Sequence, residues 1–228
     1  MVTVPSSIRS VRAERSGATR DLILTAAERL FAEHGVFAVS NRQVSEAAGQ
    51  GNNFAVGYHF GTKADLVRAI VRKHDERIER LRLRMLAKLG DSAEVRDWVA
   101  CLVRPVTEHL ATLGSPTWYA RFGAQVMTDP ALRAIMIDEA LSAPPLQELL
   151  DGLNHSLPAL PFQVRLQRGE MARHLIVHMC ADHERALADG TPPASTTWQE
   201  LATGLIDAIV GLLLAPVTSA DPGTSSRE

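Results

Sequence analysis

The chain has 228 residues, 46% of them hydrophobic and 22% charged, which is apolar material enough for a substantial core in one domain or two and reads as globular. Its two cysteines, Cys101 and Cys180, lack C-x-x-C spacing, which excludes a disulfide framework or zinc knuckle. Its most apolar stretch, Leu205 to Ala215, is too short to span a bilayer, so a soluble, cytoplasmic protein without membrane contact is expected. The formal net charge of −2 hides an asymmetry: residues 1–88 carry 15 Lys+Arg against 9 Asp+Glu, or +6, and the remainder is −8. A positive first third suits a phosphate backbone, although a basic helix face is also an ordinary solvated surface.

In chain order, residues 1–18 hold Pro5, several serines and Arg9, Arg12 and Arg15 with no apolar period, and read as a flexible basic arm. Ile23, Ala27, Leu30 and Phe31 then recur at helical spacing, with Thr19 as an N-cap and Gly35 as the C′ glycine. Ser40 and Gln43 have the S-x-x-Q spacing of a capping box, and Val44, Ala47 and Ala48 give the next short helix its inner face. GQGNNFAVG, residues 49–57, reads as a turn entering another short helix. Thr62 caps a fourth helix with Asp65 at its positive end. Leu66, Ile70, Val71, His74, Ile78, Leu81 and Met85 carry that helix to about Lys88. Beyond Gly90 the pattern stays helical between prolines: helices are predicted near 92–112, 117–128, 130–155 with a break at Pro144-Pro145, 162–188 and 196–214. No alternating strand pattern occurs, so the fold class is all-α. A three-helix DNA-binding domain with a helix-turn-helix at 19–65 is expected, followed by a larger helical bundle at 66–216 and a disordered tail at 217–228.

Two short helices joined by a glycine-containing turn, behind a packing helix and in the positive third, form a helix-turn-helix whose second helix enters the major groove of double-stranded DNA. TRDLILTAAERLFAEHGVFAVSNRQVSEAAG followed by YHFGTKADL resembles the signature of the TetR, or tetracycline-repressor, family. The shared elements are an alanine-rich helix ending in LF-x-x-x-G, a Ser-x-Arg-x-Val start, Ala-Ala-Gly at the turn, and Tyr-His-Phe leading to Lys and Leu. The match covers residues 19 to 70. The resemblance implies a DNA contact for Arg42 and a phosphate contact for Lys63, in the first turn after Thr62, where free N–H groups add their own attraction. One more residue separates Gly49 from His59-Phe60 than in the common form. Gly57 therefore stands where the family has a phosphate-contacting tyrosine, and Tyr58 is expected to take over. Gln50, Asn52 and Asn53 are candidate base or phosphate contacts, because amides pair with adenine edges, and Thr62, beside Lys63, is a further candidate DNA contact; capping or turn formation is the alternative for the two asparagines. Phe54, Val56 and Phe60 read as core.

The resemblance also implies a small-molecule effector pocket in the second domain and a homodimer through the last two long helices. Leu201, Leu205, Ala208, Ile209 and Leu212 lie on one side of the last helix with Gly204 and Gly211, an apolar face needing a cover; an intrachain core helix is the alternative. For the pocket, Trp98, Cys101, His109, Trp118, Tyr119, Phe122, Gln125 and Met127 mix aromatic and polar groups on the middle helices. His174 and His178 stand at i, i+4, but a third ligand on their face is missing, so no metal or cofactor is expected. Enzyme motifs such as G-x-S-x-G, H-E-x-x-H, a P-loop or a dinucleotide fingerprint are absent. The resulting expectation is a ligand-responsive transcriptional regulator, a repressor released from a palindromic operator by a small molecule, with a helical protein-interaction module as the rival.

Overall fold

A computed structural model describes the backbone of residues 6–90, 94–191 and 197–217, with side chains from residue 16. Among the described residues it holds ten helices and no strand: α1 (Ser6–His34), α2 (Asn41–Ala47), α3 (Ala55–Phe60), α4 (Lys63–Leu89), α5 (Val95–Thr112), α6 (Tyr119–Thr128), α7 (Pro130–Leu141), α8 (Pro144–Ser156), α9 (Phe162–Asp189) and α10 (Trp198–Leu214). The all-α reading therefore holds. One boundary moves substantially: the first helix starts at Ser6, not Thr19. Arg9, Arg12, Ala13, Glu14 and Arg15 have high intrinsic helix propensity, so the segment continues the helix without the apolar period that sequence reasoning looked for. Residues 1–5 and 218–228, where the rest of the arm and nearly all of the expected tail fall, lie outside the described residues.

Local chemistry sets the other boundaries. Ser40 and Gln43 form the expected capping box of α2, and Thr62 and Asp65 form that of α4. Asp129 accepts from the Ala131 and Leu132 amides at the start of α7. The expected break at the double proline falls between Leu141 and Pro144, where the missing N–H of a first-turn proline costs nothing.

The main hydrophobic core runs from the head into the body, and a second, smaller cluster gathers Leu86, Cys101, Leu146 and Leu149. Ile23, Ala27 and Phe31 of α1, Val44 of α2, Val56 of α3 and Leu66 and Ile70 of α4 form the head of the main core. The rings of Phe31 and Phe122 stack with centroids 6.3 Å apart and carry it into α6. Farther on, α10 packs against α5 and α9 through Leu201, Leu205, Ile206, Ile209 and Leu213. This corrects the face expected to be an interface: Leu201, Leu205 and Ile209 are fully covered by the chain's own helices. Periodicity marks a face that needs a cover, and here α5 supplies it. The outward side of α10 carries Gly204, Asp207, Ala208, Gly211 and Leu214.

A polar chain crosses this apolar core at the joint between head and body. His74 of α4 bonds Glu28 of α1 at 2.8 Å through Nε2 and His109 of α5 at 2.8 Å through Nδ1. The Tyr119 ring lies parallel to the His74 imidazole, 3.7 Å between centroids. Nearby, the carboxylate of Glu184 on α9 accepts from the backbone amides of Ala120 and Arg121, satisfying the first turn of α6 from outside the helix.

Candidate nucleic-acid interface

The helix-turn-helix is built from backbone constraints inward. At Gly49, φ is +68°, the left-handed conformation that glycine adopts without strain, and it turns the chain out of α2. The Gln50 amide then bonds back to the Ser45 carbonyl at 2.9 Å. Asn52 Oδ1 accepts from the Phe54 amide at 2.9 Å, an Asx turn that starts α3. Ala55 and Val56 bury the inner side of that helix. From α1, the Arg20 guanidinium donates to the His59 carbonyl and lies 4.3 Å from the Phe60 ring centroid. These contacts hold a six-residue helix that is too short to persist alone.

The expected DNA contacts lie on α2, α3, the turn between them and the start of α4, and five of the seven have a polar side-chain atom engaged within the chain. Arg42 donates to Glu46 at 2.8 Å, with its side chain largely exposed. Gln50 donates to the Ala48 carbonyl at 3.0 Å. Asn52 makes the Asx turn, and Thr62 donates to Asp65 at 2.6 Å within its capping box. Lys63 differs most from expectation. Its Nζ donates to the carbonyls of Val36 at 3.0 Å and Val39 at 2.6 Å, and partial burial lowers its pKa. The ammonium ties the start of α4 to the turn after α1, a non-local contact that sequence spacing does not reveal. Asn53 and Tyr58 are exposed and make no side-chain hydrogen bond among the described residues.

Phe54 departs from its expected place in the core: it is 81% exposed, beside Tyr58 at 80%. Within the apolar cluster 54–56 only Ala55 and Val56 point inward, because a helix this short has a single buried side. Sequence reasoning also missed Arg20, whose partners lie 39 and 40 positions away, and Glu28, an acid beside the apolar face of α1.

In the body, the residues proposed for an effector pocket do not gather around one space. His109, Tyr119 and Phe122 are packed in the core. Trp98 packs on Gly152, where a Cβ would overlap the indole. Trp118 borders a cavity of about 260 Å³ with Glu28, Lys73, His74, Arg77 and Thr117. Cys101 borders a second of about 410 Å³ with Leu81, Met85, Lys88, Asp97 and Glu108. Gln125 and Met127 border neither. Desolvation, with the nearby His74, Arg77 and Lys73, holds the His109 imidazole down at about 4. The His174 and His178 rings stack at 5.7 Å, and no group of three or more metal-binding side chains gathers among the described residues.

A helix-turn-helix head carried on a larger helical body defines a DNA-binding transcriptional regulator. The model of the bacterial regulatory proteins of the tetR family matches residues 23–70, and that of the tetracycline-repressor-like C-terminal domain matches residues 100–211. The chain belongs to the TetR family. A TetR-family transcriptional regulator from Rhodococcus sp. shares its fold, with 18% identity, coverage of 86% of this chain and 99% of that one, and a TM-score of 0.53. Two further solved structures align less closely. The multidrug-binding protein EbrR complexed with imidazole has 21% identity, 87% and 92% coverage and a TM-score of 0.47. LfrR from Mycobacterium smegmatis, in complex with proflavine, has 22% identity, 90% and 99% coverage and a TM-score of 0.44. No curated protein matches the sequence. Among the described residues no helix is long and apolar enough to cross a membrane.

Proposed function

We propose that the protein is a cytoplasmic, dimeric repressor that binds a palindromic operator through residues 19–65 and is released when a small molecule binds the body at residues 66–216. The observation that carries this reading is the course of α4. It begins in the head at Lys63, tied to the turn after α1, and it supplies one wall of both cavities: Lys73, His74 and Arg77 line the first, and Leu81, Met85 and Lys88 the second. A molecule that binds either space more tightly in one position of α4 shifts the head, and the coupling is reciprocal. Arg68 and Arg72 of α4 also grip Glu139 of α7, at 3.2 and 2.7 Å, so the helix has defined contacts to exchange.

Dimerisation is supported by what the outer faces of α9 and α10 leave uncovered. Leu166, Met171 and Met179 of α9 and Leu214 of α10 are exposed. A Cβ added at Gly204 or Gly211 meets nothing within 4 Å among the described residues, so their packing requires neither glycine. Mid-helix glycine costs about 1 kcal/mol relative to alanine, a cost that close approach of a second copy offsets. In the head, Arg42, Gln50, Asn53 and Tyr58 are the proposed DNA contacts. Thr62 and Asn52 set helix starts, and Lys63 positions α4 with one N–H still free for phosphate.

Light scattering on the protein alone and on its complex with a duplex recovered from a randomised pool tests the assembly. A mass of two chains, and one dimer per duplex with two inverted half-sites, is expected. A monomer at micromolar concentration, or an asymmetric recovered site, contradicts it.

A further inference from the structure

We infer that Phe54 reads a thymine through its 5-methyl group, and that Gly57 is the point at which the α3 backbone meets the DNA. This deepens the DNA-binding reading and rests on it. Phe54, Gly57 and Tyr58 stand at i, i+3 and i+4 and share one side of α3, opposite the buried Ala55 and Val56. Phe54 and Tyr58 are 81% and 80% exposed, so this face is aromatic at both ends and is not consumed by the fold. Beside it, Gln50 donates to the Ala48 carbonyl, Asn52 accepts from the Phe54 amide and the Arg42 Nε donates to Glu46, while their other polar side-chain atoms make no hydrogen bond among the described residues. What this face of α3 itself offers to a groove is the Phe54 and Tyr58 rings around the bare Gly57 backbone, mainly apolar surface. The apolar feature of a major-groove edge is the thymine methyl, which aromatic side chains contact.

Gly57 supplies the second observation. It lies inside a helix, where glycine is unfavourable, with an ordinary φ and with nothing within 4 Å of an added Cβ. No contact among the described residues calls for glycine there, whereas close approach of another backbone does. Four residues separate Phe54 from Tyr58, about 6 Å along the axis, against about 3.4 Å per base step. The two rings thus span one to two base steps in total, with Gly57 between them in the chain. An exposed aromatic pair also suits a protein partner, and the experiment separates the two.

The probe is a duplex recovered by the wild-type protein from a randomised pool, with each thymine replaced in turn by deoxyuridine, which removes only the methyl. Replacement at one position in a single half-site is expected to weaken wild-type binding about fourfold, the factor for one buried methyl group, and replacement at that position in both half-sites about fifteenfold. Phe54→Ala, which removes both contacts of the dimer, is expected to bind the all-thymine duplex about as weakly as the wild type binds the doubly replaced one and to lose nothing further at that position. Gly57→Ala is expected to melt at the wild-type temperature or above, yet to bind every duplex at least about tenfold more weakly, as a backbone contact held apart by a methyl group does. Circular dichroism accompanies each variant; Phe54 is exposed enough for its replacement to fold. Phe54→Ala with wild-type affinity and preference, or with undiminished sensitivity to the uridine substitution, overturns the methyl reading. Gly57→Ala with unchanged binding overturns the close approach. A pool from which nothing is enriched defeats the DNA-binding reading itself, and this inference with it.

Discussion

His74 and Glu28 are joined by a buried 2.8 Å hydrogen bond between the imidazole Nε2 and the carboxylate, linking the helix that enters the body to the helix that anchors the head. With Nε2–H donating to Glu28, Nδ1 is left to accept from His109 Nε2–H, also at 2.8 Å. Glu28→Ala strands a buried imidazole N–H, and a loss of about 1–3 kcal/mol in unfolding free energy is expected. Glu28→Gln keeps an acceptor oxygen and loses less. Denaturant titration measures both, and an alanine variant with the wild-type midpoint removes the bond from the account of stability.

Asp75, the next residue on α4, gives a pH dependence. Burial, reinforced by Glu79, pushes its carboxyl up to about 7, and its Oδ2 is buried without a hydrogen-bond partner among the described residues. The folded protein keeps this proton to near pH 7, whereas the unfolded chain releases it near the ordinary value of about 4. The stability it contributes is therefore complete below that ordinary value and is lost as pH rises through 7. His109 acts at the other end: its imidazole, held at about 4, costs stability as pH falls below the ordinary value of about 6.5, so it is silent in alkali. Asp75→Asn cannot ionise, and its melting temperature relative to wild type is expected to rise by a few degrees between pH 5 and pH 9. A difference that stays constant over that range, or shrinks, refutes the assignment.

Lys63 offers a choice between two roles. Because its ammonium bonds the Val36 and Val39 carbonyls, Lys63→Ala is expected to cost about 1–2 kcal/mol of stability, visible as a melting temperature several degrees lower. A variant that melts with the wild type and instead loses about one unit of the salt slope of DNA binding per subunit would make Lys63 primarily a phosphate ligand.

The two sides of α10 are expected to respond oppositely to charge. Ala208→Glu, on the exposed side, should give a folded monomer, since the residue touches nothing the fold requires. Leu205→Glu places a carboxylate in the core against α5 and should leave little folded protein. Light scattering paired with circular dichroism reads both; an Ala208→Glu protein that stays dimeric moves the interface elsewhere.

Much of this architecture was legible in the sequence because it is written locally. The capping pairs Ser40–Gln43 and Thr62–Asp65, the Pro144-Pro145 break and the period of Ile23, Ala27 and Phe31 each act within a few residues. What escaped is non-local or ambiguous in one dimension. Leu205 and Ile209 show the same period whether α5 or a second chain covers them. Phe54 adjoins Val56 in sequence, yet a six-residue helix turns one outward and the other inward. Lys63 reaches carbonyls 24 and 27 residues upstream, and Glu28 meets His74 across 46. No spacing rule encodes those distances.

The most direct test is the affinity of the full chain for a fluorescent duplex recovered from the randomised pool, compared with a scrambled duplex of the same length and composition, between 50 and 200 mM salt. Binding to the recovered duplex at least about a thousandfold tighter, with both affinities falling as salt rises, is predicted. Equal affinity for the two duplexes, or no salt-dependent binding to either, contradicts a sequence-reading regulator.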